Sequence, residues 1–228
     1  MATADAYLSN PIWHALTSHH ADFAQGNGLA RRYPHEVAPF GAVETYNEDA
    51  FDALATVVAT GHSVSVINAQ GVDRSKWEII REFPLIQIVY EGSAQAPDAS
   101  GMITTLSQRD VPAILELVEL VHPGPFRQRT IELGRYFAIW QDGCLAAVAG
   151  ERFHLRGYRE ISAVCTHPDY QRRGYAGMLV RHLINAIQSE GEVPFLHVTG
   201  MNTNARKLYE ALGFKQREEF NMCVLKRQ

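Results

Sequence analysis

The stretch Val164-Cys165-Thr166-His167-Pro168-Asp169-Tyr170-Gln171-Arg172-Arg173-Gly174-Tyr175-Ala176, continuing into Gly177-Met178-Leu179-Val180, decides how the chain is read. Upstream, 159–166 has strand character; downstream, apolar residues at 179, 180, 183, 184 and 187 recur at helical spacing. A strand therefore feeds a helix through a turn of small residues. The first N–H groups of such a helix have no intrahelical partner, and the helix dipole puts partial positive charge there. Gly174 permits a close backbone approach, Ala176 leaves it unobstructed, and Arg172 and Arg173 add positive charge. Together these features predict a pyrophosphate cradle. The dinucleotide spacing Gly-x-Gly-x-x-Gly and the P-loop spacing Gly-x-x-x-x-Gly-Lys-Ser/Thr are both missing.

Outward from this stretch, the pattern stays regular from residue 102 to the end. A strand at 102–106 precedes a helix that starts after Ser107, tolerates Pro112 in its first turn and stops at His122-Pro-Gly-Pro125. A short helix is expected near 127–133. Strands at 135–141 and 144–154 flank Asp142-Gly143, a strong two-residue hairpin signal, and Arg156-Gly157 turns into 159–166. The cradle helix should run to about Gln188, with Gly191 as its stop. A buried strand at 194–199, a helix at 202–212 ended by Gly213, and a hairpin within 214–226 complete the expected order β-α-α-β-β-β-α-β-α-β-β.

Gln171-Arg172-Arg173-Gly174-Tyr175-Ala176 resembles motif A (Gln/Arg-x-x-Gly-x-Gly/Ala) of the GNAT superfamily of acetyl-CoA-dependent N-acetyltransferases. Asn204-Ala-Arg-Lys-Leu-Tyr-Glu-Ala-Leu-Gly-Phe214 resembles its motif B, and the element order is the family's. The resemblance covers over half the chain, residues 102–228, and 134–176 is similar to the glycine N-acyltransferase subgroup. It implies an α/β (α+β) GNAT fold: a mixed, mostly antiparallel sheet flanked by helices. It also implies that Val164, Cys165 and Thr166 pair with the pantetheine arm. A backbone N–H of Cys165 or its neighbour would be the oxyanion donor. Gln171, Arg172, Arg173, Gly174, Tyr175, Ala176 and Gly177 would hold the pyrophosphate, and Asn204 and Lys207 would also contact the cofactor.

Acyl transfer to an amine needs a deprotonated amine, a stabilised carbonyl oxygen and an acid for the departing thiolate. Two carboxylates compete for the base. Glu160 lies eleven residues before Gln171, as in the histone-acetylating branch, and shares a strand face with Ser162 and Val164 by period-2 alternation. Glu151 stands on the preceding strand among apolar neighbours. Tyr209, five residues after Asn204 as in the family, is the acid candidate, since a phenol can protonate a thiolate at neutral pH; the competing reading is a packing residue of an amphipathic helix with Leu208 and Leu212. Cys165 is read as a buried strand residue, not a nucleophile.

Composition closes off other classes. The 228 residues are 46% hydrophobic, carry a net charge of -4, and include ten histidines and three cysteines. That balance predicts no nucleic-acid surface, no run is long enough to span a membrane, and the N-terminus has no signal-peptide pattern. Widely spaced Cys144, Cys165 and Cys223 fit free thiols in a cytoplasmic protein. Neither His-Glu-x-x-His nor Cys-x-x-Cys occurs, so no metal site is read. Adjacent His19 and His20 would point apart as polar surface.

Residues 1–91 carry no chemical motif. Helices are expected at 4–16, interrupted by Pro11, and after Asn47 up to Gly61, with strands at 62–68 and 85–90. This part is expected to form an N-terminal α/β domain, a degenerate repeat of the same fold, joined by a linker at 92–101 to the catalytic domain at 102–228. The acceptor is expected to be a small-molecule amine. Phe126, Arg127, Arg129 and Tyr136 would line its pocket, and an arginine there would suit an amino-acid carboxylate. A longer or aromatic acyl donor and a non-catalytic acyl-CoA-binding module are the alternatives; the acidic balance gives a protein-acetylating role no support. Either a monomer or a homodimer fits.

Overall fold

The computed structural model describes residues 4–96 and 100–228. Two short helices open it, α1 (Ala4–Ser9) and α2 (Pro11–Leu16), split where Pro11 begins the second. Three strands of three residues each follow, β1 (Gln25–Asn27), β2 (Ala30–Arg32) and β3 (Gly41–Val43), as a small antiparallel sheet. They are too short for period-2 alternation to register in the sequence. Helix α3 (Glu48–Val57) is capped by the Asn47 side chain, which accepts from the Ala50 N–H at 3.0 Å.

Strands β4 (Ser63–Ile67) and β5 (Trp77–Tyr90) precede the segment expected as a linker, of which 97–99 lie outside the described residues. Beyond it come β6 (Ile103–Thr105), α4 (Val111–Val121), β7 (Tyr136–Gln141), β8 (Cys144–Leu155) and β9 (Tyr158–Thr166). Then follow α5 (Tyr175–Gln188), β10 (Val193–Thr199), α6 (Thr203–Leu212) and β11 (Phe214–Arg227). The short helix expected near 127–133 is a single 3₁₀ turn, Thr130–Leu133.

The main sheet runs β4-β11-β5-β10-β9-β8-β7-β6. Its neighbours are antiparallel except β9 and β10. Two sequence expectations change here. The segment at 92–101 does not separate two sheets, because β5, which precedes it, lies between β10 and β11, which follow it. The hairpin expected within 214–226 is instead the single strand β11. Its sequence has no glycine or proline to reverse the chain, and β5 takes the place beside it that a returning strand would fill.

Helices α5 and α6 cover one face, burying Leu179, Val180, Leu183, Ile184, Ile187 and Leu212 against Ile139, Ala147, Ile161 and Val198. The other face is covered by α4, through Ile114, Leu117 and Val118, and by α1, α2 and the 33–40 segment, through Leu8, Ile12, Tyr33 and Phe40. The N-terminal part is thus fused to the main sheet through a shared apolar core. An antiparallel three-stranded meander, a helix and a strand occur twice, as β1-β2-β3-α3-β4 and β7-β8-β9-α5-β10. Each copy includes a parallel contact across its helix, Phe40 to Ser65 in the first and 158–160 to 193–195 in the second.

The two adjacent histidines diverge further than expected. His19 is exposed, but His20 is buried, with Nδ1 2.8 Å from the Tyr33 hydroxyl.

Candidate functional site

Strands β9 and β10 pair in parallel only over Tyr158–Val193, Arg159–Pro194 and Glu160–Phe195. Beyond that point β10 continues beside β5, while β9 continues beside β8 alone. The two strands therefore diverge, and the edge of β9 from Ile161 to Thr166 faces a cleft. His167 N–H donates to the Ala146 carbonyl at 2.9 Å, and Cys165 pairs with Val148. By antiparallel alternation the N–H and C=O of Cys165 then point to β8, whereas those of Val164 and Thr166 point into the cleft. Of the backbone groups the sequence offered as oxyanion donors, the Cys165 N–H is thus taken up by β8, and those of its neighbours Val164 and Thr166 are outward.

A β-bulge sits at this point. Ala163 has φ +52°, and the β8–β9 register shifts between Val148 and Gly150. Ile161 and Val164 consequently pack on the same face, against α5, instead of on alternate faces. Glu160 adjoins Ile161 and points the other way, so Glu160 and Val164 do not share a face as expected.

The cleft leads to the start of α5. Gly174 is its N-cap in the left-handed region (φ +80°) and has no side-chain cap. The first intrahelical bond is Met178 N–H to the Gly174 carbonyl at 3.0 Å, so the N–H groups of Tyr175, Ala176 and Gly177 are left for a ligand. Gln171, Arg172, Arg173 and Gly174 are exposed, and Arg172 also adopts positive φ, +61°. Arg173 lies over the Tyr170 ring at 5.0 Å. The corresponding helix of the N-terminal part contrasts with this: α3 is capped by Asn47 and begins with Glu48 and Asp49. One helix start attracts an anion and the other repels it.

Tyr209 is buried on α6 near the cleft, edge-on to Phe214 at 5.9 Å. Burial, helped by the nearby Cys165, pushes its phenol up to about 12, so it is protonated at neutral pH. Cys165 is buried among apolar side chains, and burial pushes its thiol up to about 12, too high for a thiolate nucleophile at neutral pH. Asn204 and Lys207 are exposed on the first turns of α6.

The two carboxylates are placed differently from the base expected. Glu160 is 0% exposed and bridged by Arg152 through two bonds of 2.7 Å, with His197 Nδ1 at 2.6 Å. Burial alone would raise its carboxyl; Arg152 and His197 outweigh burial and hold it at about 2. A carboxylate so acidic is a weak proton acceptor at neutral pH. Glu151 is buried against Arg135 and lies 3.4 Å from Arg159. Both arginines also bind Glu190, just past the C-terminal end of α5. The uncapped start at Gly174 is at the other end of that helix, about 20 Å away for 14 residues.

Phe126 and Tyr136 are buried in edge-to-face contact at 5.4 Å, and the Tyr136 hydroxyl is buried with no hydrogen-bond partner among the described residues. Arg127 and Arg129 are turned to the N-terminal part instead: Arg127 Nη1 lies 2.9 Å from His35 Nδ1, and Arg129 pairs with Glu36 and Glu132. Thr130 Oγ1 donates to the Val37 carbonyl at 2.6 Å. The 33–37 segment thus braces the loop after α4. The sequence did not reveal this brace, nor Arg152 and His197 as partners of Glu160, because each contact joins residues distant in the chain.

Comparison with known proteins gives a consistent set. Residues 139–223 match the family model described as FR47-like protein. The chain is 32% identical over 120 residues to the ribosomal protein bS18-alanine N-acetyltransferase of Escherichia coli K12, covering 50% of this chain and 80% of that one. The corresponding enzyme of Haemophilus ducreyi is 29% identical over 122 residues, 50% of this chain and 83% of its own. Among solved structures, a GNAT-family acetyltransferase structure from Novosphingobium aromaticivorans aligns with TM-score 0.89 and 31% identity, over 97% of this chain and 98% of that one. One from Kribbella flavida, at 14% identity and TM-score 0.64 over 100% and 96%, shares the fold.

Proposed function

The chain belongs to the GNAT superfamily of acyl-CoA-dependent N-acetyltransferases, and we propose that it transfers the acetyl group of acetyl-CoA directly to a primary α-amine in a ternary complex. The observation that carries this is the divergence of β9 from β10 beside the uncapped start of α5. An extended pantetheine arm fits the outward N–H and C=O groups of Val164 and Thr166, as an added strand would. The diphosphate fits the N–H groups of Tyr175, Ala176 and Gly177 beside Gln171, Arg172 and Arg173, with Asn204 and Lys207 at the rim.

In the proposed reaction the amine lone pair attacks the thioester carbonyl carbon. The carbonyl oxygen gains charge against an outward N–H of β9, the C–S bond breaks, and Tyr209 protonates the leaving thiolate. The amine proton passes to solvent. No strong base is required, because an α-amine with pKa of about 7.7 to 8.0 is roughly a tenth neutral at pH 7, whereas a lysine side chain near 10.4 is not. This reading assigns Glu160 and Glu151 to structure. Phenylalanine at Tyr209 is expected to lower kcat about a hundredfold and leave acetyl-CoA affinity unchanged, measured by steady-state rates beside calorimetry. Equal kcat would remove the acid.

The acceptor is either a free amino-acid-like amine or a protein N-terminus. The second is favoured by the E. coli relative, which acts on an alanine of a ribosomal protein. Residues 1–91, the degenerate repeat in this reading, would shape the acceptor side through the 33–37 brace. Calorimetric titration of acetyl-CoA and benzoyl-CoA, followed by rates on alanine, alanine amide, an Ala-initiated peptide and an N-blocked lysine peptide, tests this. Acetyl-CoA binding with turnover of α-amines alone is the expected result. A benzoyl-CoA preference would move the donor to an aromatic acyl group, and binding without turnover of any amine would make the chain an acyl-CoA-binding module.

A further inference from the structure

Away from the cleft, past the C-terminal end of α5, three chain segments converge on one polar cluster. His19 comes from the loop after α2, His154 from β8, and Glu192 from the turn between α5 and β10. One potential ligand atom from each lies within 4.8 Å of the others. His154 Nε2 is 2.7 Å from Glu192 Oε1, and the His19 ring is stacked flat on that of His154, with centroids 3.7 Å apart and planes 6° apart.

The cluster is densely charged: Glu151, Glu190 and Glu192 supply three carboxylates, and Arg135, Arg159 and, close to His19, Arg156 supply three guanidiniums. Glu192 Oε2 is buried without a hydrogen bond of proper geometry, although Arg159 Nη2 is 2.9 Å away. His20, next in sequence, is not part of the group; its Nδ1 is taken by the Tyr33 hydroxyl.

We propose that His19, His154 and Glu192 form a site for a divalent transition metal, zinc above all, which staples the N-terminal segment to the end of the catalytic sheet. Two imidazole nitrogens and one carboxylate oxygen are a donor set that zinc prefers, with a fourth position left to water. Tetrahedral ligands about 2.1 Å from zinc are roughly 3.4 Å from one another, so the widest pair must close by about 1.4 Å at most, while His154 Nε2 and Glu192 Oε1, now 2.7 Å apart, must open by about 0.7 Å. The His19 ring must also turn out of its stack on His154, since lone pairs in parallel ring planes do not meet at one ion; His19 is exposed and free to turn. Arg159 Nη2 is 3.0 Å from His154 Nε2, so the guanidinium must turn away, toward Glu190 and Glu151, which its Nη2 and Nη1 already meet at 2.8 and 3.4 Å. The metal then takes over its neutralisation of Glu192. Glu192 belongs to the catalytic half and His19 to the part before β1, so the ion would tether two segments far apart in sequence.

The test is calorimetry of Zn²⁺ into the tag-free, metal-stripped full chain, with a Co²⁺ titration followed by visible absorption and Mg²⁺ as a hard-cation control. One zinc per chain with micromolar or tighter affinity is expected. Tetrahedral Co²⁺ bands should appear, the Tm should rise by several degrees, and Mg²⁺ should produce none of these. His19→Ala, an exposed change that leaves the core intact, should weaken zinc at least tenfold and abolish the Co²⁺ bands, with acetyl-CoA binding unchanged. Glu192→Gln should do the same. Absence of stoichiometric zinc binding, or zinc binding equally tight in His19→Ala, would overturn the proposal without touching the acetyltransferase reading.

Discussion

Replacing Gly174 by glutamate is expected to lower acetyl-CoA affinity by at least about a hundredfold. Charge-assisted hydrogen bonds to an anion contribute roughly 1.5–3 kcal/mol each. The substitution disturbs the two or three that the start of α5 can offer, which amounts to a hundredfold or more. It also sets a carboxylate where the helix dipole and two arginines attract phosphate. A Cβ at Gly174 meets nothing within 4 Å, so the side chain has room, and the strain of φ +80° costs only about 1–2 kcal/mol. The fold should survive, as circular dichroism and thermal melting would show. Gly174→Ala carries the same backbone strain without the charge and separates the two effects. Its affinity should fall far less. A folded glutamate variant that still binds acetyl-CoA like the wild type would remove the cradle from α5.

The second large effect concerns stability. Glu160→Gln is expected to destabilise the fold by about 3 kcal/mol at pH 7, because it leaves Arg152 buried without its counter-charge. The same magnitude follows from a carboxyl held at about 2 instead of 4.5. A depressed carboxylate contributes stability that is fully present above its unfolded pKa and is lost as pH falls through its folded one. The gap between wild type and variant should therefore be constant above about pH 5, shrink between about 4.5 and 2, and vanish below that. Urea unfolding across this range measures it. A glutamine variant as stable as the wild type at pH 7 but with collapsed kcat would restore Glu160 as the general base.

Much of the architecture was legible because local signals agreed with one another. Asp142-Gly143, with φ values of +52° and +78°, turns the β7–β8 hairpin as its dipeptide suggested. Asn202 caps α6, Gly213 ends it in the left-handed conformation, and α5 spans the heptad-like apolar run that its sequence displays. The turn at Gln171–Gly174 was readable for the same reason: a helix start, a glycine and two arginines are neighbours in sequence, so the chemistry they form is local.

The sequence by itself therefore determined the superfamily, the uncapped helix start at Gly174 and, apart from the 3₁₀ turn at Thr130–Leu133 and the single strand β11, the order of elements from 103 onward. Those depend on propensity, capping and turn chemistry within about ten residues. Only the tertiary structure decided that β5 crosses over to lie between β10 and β11, since strand pairing at long range leaves no mark in local periodicity. Only it placed Glu160, a candidate base, at the centre of a buried ion cluster. One bulge at Ala163 reverses which face a side chain occupies, and the partners Arg152 and His197 stand on two other strands. A residue's proton affinity follows from burial and neighbouring charge, and both are properties of the folded chain.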